Sequence, residues 1–157
     1  MEPSDIISIA GIAIQAAIGI YIATSIQNRF AKSRCIREHF IQELSAIQVE
    51  YRSFINLIWT NKSNSRSVKD KLKNFSERIK GLENILDETF ELDKSSIVAA
   101  HSKFQQELTM EDEFNVQYTK DILELSEVIK TKLYPLYNDI SNSITKRIIE
   151  INKAKLK

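Results

Sequence analysis

The chain has 157 residues with 22 Lys+Arg against 21 Asp+Glu, so its net charge is close to zero and gives no overall bias toward nucleic acid. A single cysteine, Cys35, excludes an intramolecular disulfide framework, and only three Gly and two Pro argue for helices throughout. The balance hides a pattern. Residues 29–80 carry 12 bases and 5 acids, residues 81–127 carry 3 bases and 12 acids, and residues 128–157 carry 7 bases and 2 acids.

Residues 6–26, IISIAGIAIQAAIGIYIATSI, hold no charged side chain. As a helix, such a run is about 31 Å long, the thickness of a bilayer hydrocarbon core. The acidic start (Glu2, Asp5) and the absence of a small-x-small cleavage site are unlike a secretory signal, so the segment is expected to be retained. Arg29, Lys32, Arg34 and Arg37 follow it closely, which by the positive-inside rule places the N-terminus outside and the rest in the cytoplasm. The expected division is therefore a transmembrane segment over residues 1–28 and a cytoplasmic α-helical domain over residues 29–157.

Beyond the span, Ile36, Phe40, Leu44, Ile47, Tyr51, Phe54 and Ile58 recur at steps of three or four, an amphipathic helix ending near Trp59 and free to run on from the membrane segment. The polar run 61–67 ends it. Val68, Leu72, Phe75, Ile79, Leu82 and Leu86 predict a second helix that tolerates Gly81. Capping side chains in residues 93–96 introduce a third, with Ile97, Ala100, Phe104 and Leu108 on one face. Thr109 followed by Glu111, Asp112 and Glu113 predicts a fourth, with a stripe of Phe114, Tyr118, Ile122, Leu125, Ile129 and Leu133 that Pro135 should kink or break. Leu136, Ile140, Ile144, Ile148 and Ile151 carry the pattern to a basic end. The fold class expected is all-α: one N-terminal transmembrane helix followed by a cytoplasmic antiparallel bundle of about four helices.

Chemical motifs are sparse. His39 and His101 form no ligand-spaced pair, and HExxH, CxxC, P-loop and GxGxxG patterns are absent, so neither a metal site nor a cofactor is expected. Arg34-Cys-Ile-Arg-Glu-His39 fits the loose Arg-x4-His pattern of the HEPN ribonucleases, in which His would act as base and Arg would stabilise developing charge. On a helix the two side chains lie about 140° apart, which disfavours that reading. Arg66, Lys69, Lys71, Lys73 and Arg78 are candidates for an anion site for nucleotide, oligonucleotide or lipid headgroup. The competing expectation is a solvated face paired with the acidic 81–127 region. Tyr134-Pro-Leu-Tyr137 is a further candidate notch.

Within the span, helical spacing puts Ser8, Gly11, Gln15, Gly19, Ile22 and Ile26 on an arc of about 80°, the pore-lining candidates. Ala10, Ala13, Ala17 and Thr24 fall largely opposite, the helix-packing candidates. Two small-residue faces suit a homo-oligomer of three or more copies. Gln15, near the bilayer midplane, needs either a partner amide or water.

In plan, one short uncharged span followed by a compact helical domain, the chain resembles the small membrane effectors of bacterial antiviral defence, of the Hailong type or CRISPR-associated. The 24 isoleucines and the lysine-rich composition of an AT-rich microbial gene fit that setting. The resemblance implies oligomeric helices that conduct ions across the bacterial inner membrane, opened or restrained by a ligand at the cytoplasmic domain. It carries no shared motif and assigns no residue. The expected function is therefore such a non-enzymatic effector or channel, with membrane lipid and further copies of itself as partners. A membrane-tethered adaptor that recruits a protein partner is the alternative, and a membrane-anchored HEPN-like ribonuclease the third.

Overall fold

A computed structural model describes residues 3–93 and 95–155; for residues 3–23, 26 and 28–30 it describes the backbone alone. The chain is all-α: α1 (Pro3–Trp59), α2 (Ser65–Thr89), α3 (Ile97–Met110), the short α4 (Asp112–Val116) and α5 (Glu127–Lys153). Among the described residues there is no strand, only an isolated bridge at Phe90. Next to it, the Glu91 amide donates to the Lys155 carbonyl (3.0 Å). The chain divides into two compact units, residues 1–39 and 40–157.

In the first unit, the side chains of residues 6–23, most of the expected span, lie outside the described residues. Among the described residues no helix is long and apolar enough to cross a membrane.

The second unit is an up-down-up-down bundle of α1 (from Phe40), α2, α3 and α5. Its core follows the expected stripe of α1, with Phe40, Leu44, Ile47, Tyr51, Phe54 and Ile58 all buried. The α1 stop is a Schellman turn: the Lys62 amide reaches the Leu57 carbonyl (2.9 Å), the Asn61 amide the Ile58 carbonyl (3.2 Å), and Asn61 sits at φ 55°. Asparagine tolerates that left-handed conformation better than most residues. Asn64 then caps α2, its side-chain oxygen accepting from the Ser67 amide (2.8 Å). Gly81 does not interrupt α2, and a Cβ there would meet nothing within 4 Å, so the glycine is a local cost and no packing requirement.

Antiparallel order can be read from the contacts. Phe40 meets Phe90 edge-on (5.8 Å), which pairs the start of the α1 stripe with the end of α2. Gln48 donates to Ser141 Oγ (2.8 Å) and Tyr51 stacks with Tyr137 (6.4 Å), tying α1 to α5. Lys132 bridges Glu107 (2.9 Å) and Glu111 (2.7 Å), and Ser96 Oγ donates to Ser143 Oγ (3.0 Å), running α5 against α3.

Three expectations are corrected. The fourth helix does not continue through residues 117–126, and Tyr118 and Ile122, placed in its stripe, are exposed. Gln117 holds the break: its amide donates to the Glu113 (2.9 Å) and Glu124 (2.7 Å) carbonyls, and its oxygen accepts from the Glu124 amide (2.9 Å). Ser126 then caps α5 through the Ile129 amide (3.4 Å).

Pro135, second, lies inside α5 without ending it, so of the kink or break expected there the break does not occur. It faces solvent, as does Thr131 one turn back, so the carbonyl that loses its donor can turn to water. Third, Leu82 and Ile148 are only half-buried, and the buried stripes run instead through Glu83 and Arg147.

Candidate functional site

Two polar clusters and a groove bring candidate residues together in the bundle. The first cluster is neutral. His101, on α3, is 1% exposed, and both ring nitrogens are engaged. Nε2 lies 3.1 Å from the Leu72 carbonyl, which can only accept, so Nε2 carries the proton and Nδ1 is an acceptor for the Tyr51 hydroxyl (3.1 Å). Ser76 Oγ, 2.7 Å from Nε2, then accepts there and donates to Gln105 Oε1 (3.0 Å). Burial, with the nearby charge of Lys80, holds the imidazole below its ordinary pKa against the pull of the Leu72 carbonyl. Burial alone raises the Tyr51 phenol well above its ordinary value.

The second cluster is charged. Arg147, 1% exposed, reaches Glu83 (2.5 Å) and Asp87 (2.8 Å) with Nη2, and the Asp93 carbonyl (2.7 Å) and Glu150 (3.3 Å) with Nη1. Glu83 Oε1 and Arg147 Nε are buried and have no hydrogen-bond partner among the described residues. Burial raises the Glu83 carboxyl above its ordinary pKa, opposed by the Ser95 hydroxyl and Arg147. Burial also opposes the Arg147 charge, but Glu83, Glu150 and Asp87 outweigh it and hold the guanidinium above its ordinary value.

The groove lies between α1 and α2, a cavity of about 360 Å³ with Phe54, Leu57 and Phe75 among its lining. Lys71, Asn74 and Arg78 follow one face of α2 along it, and Glu50 and Ser53 stand on α1. Arg78 is already occupied: Nη1 takes both oxygens of Glu50 (2.8 Å each) and Nη2 takes Glu43 (3.2 Å).

The anion candidates therefore separate. Lys71 and Arg78 share the groove, whereas Lys69 lies over the Tyr118 ring (5.7 Å), Lys73 pairs with Glu77 (3.9 Å) and Arg66 is exposed. The expected pairing of this run with the acidic 81–127 region is corrected for Arg78 and Lys73, whose carboxylate partners precede it, on α1 and α2. Near Pro135, Tyr137 stacks on Tyr51 and Tyr134 is exposed.

In the first unit, Arg34 is tied to Glu38 one turn on (2.7 Å), and Arg37 donates to Ser33 Oγ (2.6 Å). Lys32, His39 and Cys35 are exposed, as is Thr24. The side chains of Arg29, of the other helix-packing candidates Ala10, Ala13 and Ala17, and of the pore candidates Ser8, Gly11, Gln15, Gly19, Ile22 and Ile26 lie outside the described residues. Among the described residues no group of three or more His, Cys, Asp or Glu is placed to hold a metal.

Sequence reasoning missed both buried clusters. Glu83 and Arg147 stand 64 positions apart, and only the helical register, with a charged residue where an apolar one belongs, marks either of them. No protein-family model, curated protein or solved structure matches this chain.

Proposed function

We propose that this chain is a single-span protein of the bacterial inner membrane, an oligomeric effector or channel of the antiviral-defence type whose cytoplasmic bundle senses a ligand or partner. The observation that carries the reading is the uncharged run 6–26, with acids before it and Arg29, Lys32, Arg34 and Arg37 after it. Its two small-residue arcs supply contacts to two neighbours, and Gln15 supplies the polar group that a ring of helices shields or hydrates. In this reading Ser8 and Gln15 face the lumen, and Ile22 and Ile26 form an apolar constriction that gates by dewetting.

The test is the stoichiometry and conductance of the full chain. Cross-linking in detergent should give three or more copies, and planar bilayers should show a conductance that Gln15→Leu reduces. A monomer, or silent bilayers with the oligomer present, overturns the reading.

The second reading, a membrane-tethered adaptor, is favoured by large apolar side chains left open on the bundle, among them Met110 (69% exposed), Val116 (73%) and Val128 (79%). An unrelated span in place of residues 6–26 would preserve an adaptor's function and abolish a channel's.

A further inference from the structure

The groove between α1 and α2 combines features that the packing of the bundle does not require. Two ridges form its walls, residues 50, 53/54 and 57 on α1 and residues 71, 74/75 and 78 on α2. Its apolar lining comes from Val49, Phe54, Leu57 and Phe75, and at about 360 Å³ it lies at the small end of the range for small-molecule sites. On one wall Lys71 is a cation with no carboxylate partner among the described residues. Two turns along the same face, Arg78 Nη1 alone lies 2.8 Å from each Glu50 oxygen, a charge-assisted contact on one nitrogen that another carboxylate or a phosphate oxygen can replace.

We propose that this groove binds a small organic anion, a carboxylate or phosphate head on a planar apolar body, and that Glu50 occupies the head position when the groove is empty. The body lies against Val49 and Leu57, above the buried Phe54–Phe75 floor. The head displaces the Glu50 carboxylate from Arg78 and takes a further contact from Lys71 or Asn74. Glu43, on the other guanidinium nitrogen, keeps Arg78 in place during the exchange (3.2 Å). The exchange is balanced: one anion leaves the guanidinium as another arrives, and Glu50, already half in solvent, turns outward. The inference concerns the bundle alone and does not depend on how residues 6–26 meet the membrane.

The test is titration of the full-length protein with phenyl phosphate, followed by calorimetry. Inorganic phosphate and phenol serve as the two halves of the probe. Phenyl phosphate should bind, and each half alone should bind at least about tenfold more weakly. Lys71→Glu, at an exposed position that leaves the fold intact, should weaken binding by about tenfold or more.

The distinguishing variant is Glu50→Gln. Removing the competing carboxylate should tighten phenyl phosphate binding several-fold, whereas a general electrostatic surface would give the same gain for Glu77→Gln on the outer face of α2. Adenosine monophosphate and octyl phosphate, added in separate arms, tell a planar body from a flexible chain. Tighter binding of the nucleotide supports the proposal as stated, and tighter binding of the alkyl phosphate overturns the planar body. No binding of phenyl phosphate, or an affinity that Glu50→Gln leaves unchanged or lowers, overturns the site.

Discussion

Arg78 and Arg147 each join two helices by gripping two carboxylates on the neighbouring helix, with Glu150 of its own helix as a third partner for Arg147, but in different solvents. Arg78 holds Glu43 and Glu50 at a rim where its side chain is 37% exposed; Arg147 holds Glu83 and Asp87 with 1% of its side chain exposed. At the rim, water and salt compete with each ion pair, and the side chains lose little by letting go. In the core, neither Arg147 nor Glu83 has water to return to, so that pair is held by the cost of separating it more than by its attraction, whereas Asp87 stands half in solvent. The same chemistry thus gives an exchangeable contact in one place and an obligatory one in the other.

The largest expected effect comes from breaking the buried grip. Arg147→Met leaves Glu83 charged and unpaired in the core and should cost about 3–5 kcal/mol of stability by urea denaturation. Adding Glu83→Leu should restore most of that loss, because two apolar side chains remove the desolvation penalty together. If the double variant is no better than the single, Arg147 stabilises through its contacts with the Asp93 carbonyl and Glu150 and not through Glu83.

The cluster at His101 sharpens the comparison, since it is as buried as Arg147 and carries no charge. Tyr51→Phe removes the donor to Nδ1 and leaves a buried acceptor empty, an expected loss of about 1–3 kcal/mol in the same denaturation measurement.

The pH response follows from the depressed pKa of His101. Folded His101 binds its proton less readily than unfolded His101, so this site costs no stability above the ordinary imidazole value. As pH falls below about 6.5, the unfolded chain takes up the proton first, and stability drops by at most about 1.4 kcal/mol per pH unit. The loss levels off below the folded value. Glu83 acts with the opposite sign. Its carboxyl is raised in the fold, so its ionisation costs stability as pH rises through that value, and acidification relieves the cost. His101→Gln should flatten the decline between pH 6.5 and 5.5. An unchanged slope in that variant would assign the decline to other groups.

Most of the bundle was legible because its core obeys periodicity. The α1 stripe from Phe40 to Ile58 is buried as spaced, and the stops at Trp59 and the start at Ile97 follow local polar residues. The errors have physical causes. At residues 82–83 and 147–148, an apolar and a charged residue stand side by side, and hydrophobicity selects the wrong neighbour once two opposite charges can satisfy each other in the core. Pro135 carried the stronger local breaker signal, but an exposed carbonyl can turn to water, and the break fell at Gln117, whose side chain substitutes for backbone partners. The groove was half legible: Lys71 and Arg78 stood out as bases, but their shared cavity and the Glu50 clamp depend on how α1 packs against α2.

The smallest expected effect is also the one that tests the comparison most directly. Arg78→Met removes two ion pairs, as many carboxylate contacts as the Arg147 Nη2 group makes, yet its cost should stay within about 1 kcal/mol and shrink as salt is raised from low to physiological concentration. The freed Glu43 and Glu50 are about half exposed and are solvated where they stand. Arg147→Met should show a weaker fractional dependence on salt, because ions reach Asp87 but not Glu83, which carries most of the cost. If both variants respond to salt alike, burial does not separate the two arginines, and the Glu50 clamp is no more exchangeable than Glu83.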